Sequence, residues 1–237
     1  MVRTPKEIKI YLKNLHIGLD KYIKKIISKI LIVILLISSC IGTINVEPVT
    51  VNAATKTNWP KGPSIYVQTG VLIEASTGTV LYDKKCNKKM YPASITKIMT
   101  ALLTIENCKM DEMVTFSDAT IHSIQYGDAN MGCSVGEKMT VKDCLYALML
   151  QSANEVATAL GEHIAGSTKK FAEMMNKRAK EAGALNTHFA NANGLHDPNH
   201  YVTAYDMAMI TRAASKYSVF NAVSYTHLRA HETPEHL

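Results

Sequence analysis

The spacing of apolar and polar positions divides the chain between residues 54 and 223 into a strand-rich start and a longer helix-rich remainder. Ile65–Gln68, Val71–Ala75 and Thr79–Tyr82 are short, β-branched or aromatic runs. They read as strands, with Ser76-Thr77-Gly78 turning between the last two. From Ser94 the period changes to that of a helix, which runs through about Ile105. Thr140 opens a second helix, with Asp143 completing an approximate capping box and Val141, Leu145, Leu148 and Met149 on its core face. It leads into a loop holding Ser152 and Asn154. A third helix follows over Glu155–Ala165, ending near Gly166. Ser167 caps a long helix through Ala182, with Phe171, Met174, Met175 and Ala179 at helical spacing and Gly183 as its stop. Thr203 caps a last helix to about Lys216. Strands first and helices after predict an α+β fold with mixed sheet-and-helix packing.

The two ends follow neither pattern. Residues 1–53 hold Lys21, Lys24, Lys25 and Lys29, then the apolar run Ile30–Ile37, then a polar stretch ending Val51-Asn52-Ala53-Ala54. A basic region, an apolar core and a small-residue cleavage site make a secretory signal peptide, with cleavage expected after Ala53. Two other readings stay open: an uncleaved signal anchor, and a lipoprotein processed at Cys40 within Ile37-Ser38-Ser39-Cys40. Residues 54–64 read as a linker. After Phe220 no clear period is left, and 224–237 read as a foreign or disordered tail. His227, His231 and His236 lie in that stretch, without a folded context for metal binding.

Charge and cysteines narrow the class. The leader carries eight Lys/Arg against three acids, so +5 of the chain's +6 resides there. The remainder is nearly neutral, and a nucleic-acid partner loses its electrostatic basis. A 47% hydrophobic, 19% charged composition fits one globular domain. The five cysteines, at 40, 86, 108, 133 and 144, form no Cys-x-x-Cys pair, so no redox or zinc motif is indicated. Cys108 and Cys144 lie in apolar helical contexts and read as buried thiols.

The chemistry concentrates in Ser94-Ile95-Thr96-Lys97 and, 58 positions after its serine, Ser152-Ala153-Asn154. A serine needs a base beside it to act as a nucleophile. On a helix, positions i and i+3 share a face, so Lys97 reaches Ser94. A desolvated lysine can lose its proton near neutral pH. Ser152 offers a hydroxyl for proton relay, and Asn154 an amide for a substrate carbonyl and for orienting Lys97. The plainer alternatives are a capping serine with an exposed lysine for the first motif and turn-forming residues for the second.

Context decides between them. Tyr91-Pro92-Ala93-Ser94-Ile95-Thr96-Lys97-Ile98-Met99-Thr100-Ala101 resembles the active-site segment of the serine D-alanyl-D-alanine carboxypeptidases, the low-molecular-weight penicillin-binding proteins. Leu150–Ala157 resembles that family's second motif. Asn191–Tyr201 with Thr203–Ala208 resembles its downstream loop and helix. The resemblance runs from about Ile65 to Phe220. It implies the serine β-lactamase/penicillin-binding transpeptidase fold and makes 65–223 a catalytic domain.

It also implies acyl transfer through Ser94, with Lys97 as general base, Ser152 as relay and Asn154 on the substrate, and neither cofactor nor metal. The implied substrate is the D-Ala-D-Ala end of a peptidoglycan stem peptide, with β-lactams as acylating inhibitors. The implied location is outside the cell or at the outer face of the cytoplasmic membrane. The family's third motif, Lys-Thr-Gly or a variant, is absent from this sequence: no lysine after Asn154 is followed by Thr-Gly or Ser-Gly. The expectation is therefore a fold missing its C-terminal sheet strands, an oxyanion hole lacking its second donor, and a poorly stable chain.

Three rivals are set beside this reading. A β-lactamase of the same fold lacks a clear deacylating Glu-x-x-x-Asn, and Ala153 departs from the Asp usual there. A non-catalytic penicillin-binding fragment or sensor is the second. A zinc peptidase built on His196, Asp197 and His200 is the third, and it lacks further ligands.

Overall fold

A computed structural model describes residues 62–226. The signal-peptide reading, its alternatives and most of the tail lie outside those residues. Strand β1 (Gly70–Ile73) pairs antiparallel with β2 (Val80–Lys84), in a register that joins Val71 to Asp83 and Leu72 to Tyr82. The turn between them is built on Glu74. Its carboxylate accepts the backbone N–H groups and hydroxyls of Ser76 and Thr77, which hold its pKa down at about 2. Arg212 ties this turn to the helical part by donating to the carbonyls of Ala75 and Ser76.

A single 3-10 turn, Ala93–Thr96, leads into helix α1 (Lys97–Asn107). Then come β3 (Met113–Thr115), α2 (Asp118–His122), β4 (Lys138–Thr140), α3 (Val141–Leu150), α4 (Asn154–Ala165), α5 (Thr168–Glu181), α6 (Ala204–Ala214) and α7 (Ser218–Ser224). Strands β3 and β4 form a second two-stranded antiparallel sheet. Helix α1 lies at the centre and packs against α3, α4, α5, α6 and α7. Met99, Leu102, Leu145, Leu148, Leu160, Phe171, Met175 and Ile210 form one continuous core around it. At Gly161 a Cβ would stand 3.0 Å from the Phe171 ring, so α4 and α5 approach more closely than an alanine there would allow.

The predicted caps at Thr140, Ser167 and Thr203 each accept the N–H three residues on, from Asp143, Lys170 and Asp206. Gly166 ends α4 in a left-handed conformation. Three expectations change. Ile65–Gln68 is not a strand: Tyr66 and Val67 are solvent-exposed, and without a partner strand an apolar alternation has no sheet to face. The helix expected from Ser94 begins only at Lys97, because the 3-10 turn holds the serine outside it. A helix stands where the apolar spacing after Phe220 showed no period: α7 buries Phe220 and Val223, inside the 65–223 domain. Cys86, Cys108, Cys133 and Cys144 are free thiols. Burial pushes Cys144 up to about 12 and Cys108 and Cys133 up to about 11.

Candidate active site

The site forms where three segments distant in sequence meet at one amine. Lys97 is buried, and its Nζ donates to Ser94 Oγ at 3.2 Å, to Asn154 Oδ1 at 2.7 Å and to the backbone carbonyl of Asn193 at 2.9 Å. Each partner is fixed by its own element. Ser94 sits in the 3-10 turn, one turn ahead of Lys97, so the i, i+3 relation places its hydroxyl beside the amine. Asn154 is the first residue of α4, with its N–H on the carbonyl of Ala129 at 2.8 Å. The Asn193 loop is held by its own side chains: Asn191 Oδ1 accepts the Gly194 N–H at 2.7 Å, and Asn193 Oδ1 accepts the Leu195 N–H at 3.0 Å. Thr100 of α1 donates to the Ala192 carbonyl at 2.6 Å and docks that loop on the helix.

Two non-glycine residues with left-handed backbone flank these groups: Ala93 (φ 51°) beside Ser94, and Ser152 (φ 55°) two residues before Asn154. Such conformations cost about 1–3 kcal/mol each and persist where surrounding contacts impose them. The contact at Ala93 is Gly194. A Cβ on Gly194, which itself has φ +92°, would run into the Ala93 carbonyl.

Burial lowers the Lys97 pKa from 10.5 to about 8, against the opposing pull of Asp128 and Glu155. Neutral amine at pH 7 thereby rises from about one molecule in three thousand to about one in ten. A neutral amine 3.2 Å from a hydroxyl can take its proton, which makes the pair a competent nucleophile and base.

The structure thus brings Ser94, Lys97 and Asn154 together. Ser152 lies beside Asn154 in sequence, but its Oγ is buried and makes no hydrogen bond to Ser94, Lys97 or any other described residue. His196, Asp197 and His200 point to separate tasks. His196 stacks edge-on against Tyr91 at 4.7 Å. Asp197 accepts the Asn199 N–H. His200 is buried with Nε2 3.0 Å from Thr96 Oγ1. Sequence reasoning missed the roles of the Asn193 carbonyl and of Glu155. Glu155 is buried next to Asn154, with Oε1 on the Met131 N–H and Oε2 without a partner.

The chain resembles known proteins in sequence and in fold. The family model for D-alanyl-D-alanine carboxypeptidases, peptidase S11, covers residues 54–234. The chain is 42% identical over 155 residues to D-alanyl-D-alanine carboxypeptidase DacF of Bacillus subtilis (strain 168), which covers 63% of this chain and 39% of that protein. Among solved structures, the Streptomyces K15 DD-transpeptidase superposes with a TM-score of 0.65 at 34% identity, over 69% of this chain and 66% of its own. Penicillin binding protein 6B from Escherichia coli gives 0.65 at 29% identity, over 69% of this chain and 55% of its own. The chain spans about two fifths of the length of the first curated relatives it matches. Its α+β architecture is the penicillin-binding, DD-transpeptidase fold in part. By its sequence and by its fold, the chain belongs to the peptidase S11 family of D-alanyl-D-alanine carboxypeptidases.

Proposed function

We propose that Ser94 attacks the carbonyl between the two terminal D-alanines of a peptidoglycan stem peptide, releases D-alanine, and yields the acyl-enzyme to water. The observation that carries this reading is the buried Lys97 amine, 3.2 Å from Ser94 Oγ and held by two further acceptors. Lys97 in its neutral form takes the hydroxyl proton as the Cβ–Oγ oxygen bonds to the carbonyl carbon. The charge formed on Lys97 is then met by Asn154 Oδ1 and the Asn193 carbonyl, which are already aimed at it. The leaving amine needs a proton, which Lys97 returns directly or through the Ser152 hydroxyl. That hydroxyl is unengaged and one residue from the Ala153-Asn154 turn. β-Lactams acylate the same serine, and the leader supports action outside the cytoplasmic membrane.

The test is labelling of the purified chain with a fluorescent penicillin, read by gel and by intact mass, beside Ser94→Ala. A single adduct lost in the variant supports acylation at Ser94, and release of D-alanine from a D-Ala-D-Ala peptide then supports turnover. No adduct in a sample shown to be folded by circular dichroism would overturn the reading and leave a penicillin-fold protein that does not acylate.

A further inference from the structure

A second cluster of reactive side chains lies apart from the Ser94–Lys97 pair and shares no residue with it. Cys108 caps the end of α1, Glu112 stands in the turn before β3, and His163 is in the last turn of α4. Their ligand atoms (the thiol sulfur, a carboxylate oxygen and a ring nitrogen) all lie within 4.8 Å of one another. His163 Nε2 and Glu112 Oε2 are 3.2 Å apart. Around a tetrahedral zinc with bonds of about 2.0–2.3 Å, neighbouring ligand atoms are about 3.3–3.6 Å apart. The histidine and the carboxylate are already at that spacing. Any remaining excess on the sulfur side is about 1 Å, within the reach of the Cys108 side-chain rotation.

The backbone around the trio is fixed. Glu112 Oε1 accepts the Lys109 N–H at 2.9 Å, which leaves Oε2 aimed at His163. The Glu112 carbonyl accepts the Val141 N–H at 2.9 Å, and the Cys108 N–H donates to Thr104 at 3.0 Å.

We propose that Cys108, Glu112 and His163 form a three-ligand site for a divalent metal ion of the zinc class, with a fourth position open to solvent. The donor set selects the ion: a thiolate and an imidazole favour zinc-like cations over magnesium or calcium, which take oxygen ligands. On binding, Cys108 gives up its thiol proton to solvent. The thiolate and the carboxylate then balance the two charges of the ion, so the occupied, partly buried site is left neutral. The ion would staple the end of α1, the approach to β3 and the end of α4, adding to the Lys109–Glu112 and His163–Glu112 contacts already there.

The full chain, stripped of metal under reducing conditions, is titrated with Co2+ and with Zn2+. The expected result is a near-ultraviolet thiolate-to-cobalt band with the visible bands of a tetrahedral ion, one zinc bound per chain by calorimetry, and a higher melting temperature with zinc. Cys108→Ser removes the charge-transfer band, and Cys108→Ser and His163→Ala each weaken zinc binding at least tenfold. His163 is on the surface, so His163→Ala decides the matter even if Cys108→Ser fails to fold. No binding, or binding unchanged in both variants, would overturn the site. The second outcome would assign the ion elsewhere, for example to His227, His231 and His236.

Discussion

Lys97 carries a cost that defines its chemistry. Burial moves its pKa from 10.5 to about 8, a penalty of about 3 kcal/mol on the charged form. Below pH 8 the lysine is charged in both the folded and the unfolded chain, and the folded state bears that penalty in full. Between pH 8 and 10.5 the folded state releases the proton while the unfolded state keeps it, so this group's contribution to stability improves as pH rises. Acylation by a β-lactam should follow the neutral amine: its rate is expected to climb close to tenfold per pH unit below 8 and to level off above it. Stopped-flow acylation across pH 6–9.5 checks this, and a flat profile would remove Lys97 as the base. Gly194 is the second residue on which the site depends. Gly194→Ala puts a methyl group into the Ala93 carbonyl at a φ of +92°, and is expected to cost about 3 kcal/mol or more in denaturant unfolding and to abolish labelling. The pairing of Ser94 with Lys97 was legible in the sequence because it rests on side-chain types at helical spacing. The Asn193 carbonyl was not, since a main-chain oxygen leaves no mark in residue identity.

At the scale of elements, the start of α4 and the segment 128–133 act as one unit. Asn154 donates its N–H to the Ala129 carbonyl, Met131 donates its N–H to Glu155, and Asp128 and Glu155 both pull the Lys97 pKa upward. Glu155→Gln removes one of those pulls. The Lys97 pKa should then fall further, and the midpoint of the acylation profile should move to lower pH. An unmoved or raised midpoint would show that Glu155 does not act on Lys97. The longer helices α1, α3, α4, α5 and α6 were readable from period and caps, because Thr140, Ser167 and Thr203 supply side-chain acceptors for exposed helix N–H groups. Strands β3 and β4 were not, at three residues each, too short for alternation to register. Ile65–Gln68 misled in the opposite sense, because β-branched and aromatic composition reports a tendency and not the presence of a partner strand.

Across the whole molecule, His200 joins the 3-10 turn that holds Ser94 to the segment that leads into α6. Burial, with a smaller push from His188 and against Asp197, lowers its pKa from 6.5 to about 4. Its neutral form contributes stability that is present above pH 6.5 and is lost as pH falls toward 4, because the unfolded chain takes up the proton first. The expected loss is about 3 kcal/mol over that window. His200→Gln should flatten this part of the acid limb in denaturant melts between pH 7 and 4.5, and an equal slope in both proteins would show that His200 titrates alike in the folded and unfolded chain. The convergence of residues 94–97, 154 and 193 on one amine has a further consequence under the proposed mechanism. A chain with any of the three segments undocked carries an ordinary solvated lysine, nearly all of it charged at neutral pH, and an inert serine. Reactivity is then switched on by the final closure of the fold, and a penicillin adduct counts properly folded molecules one by one.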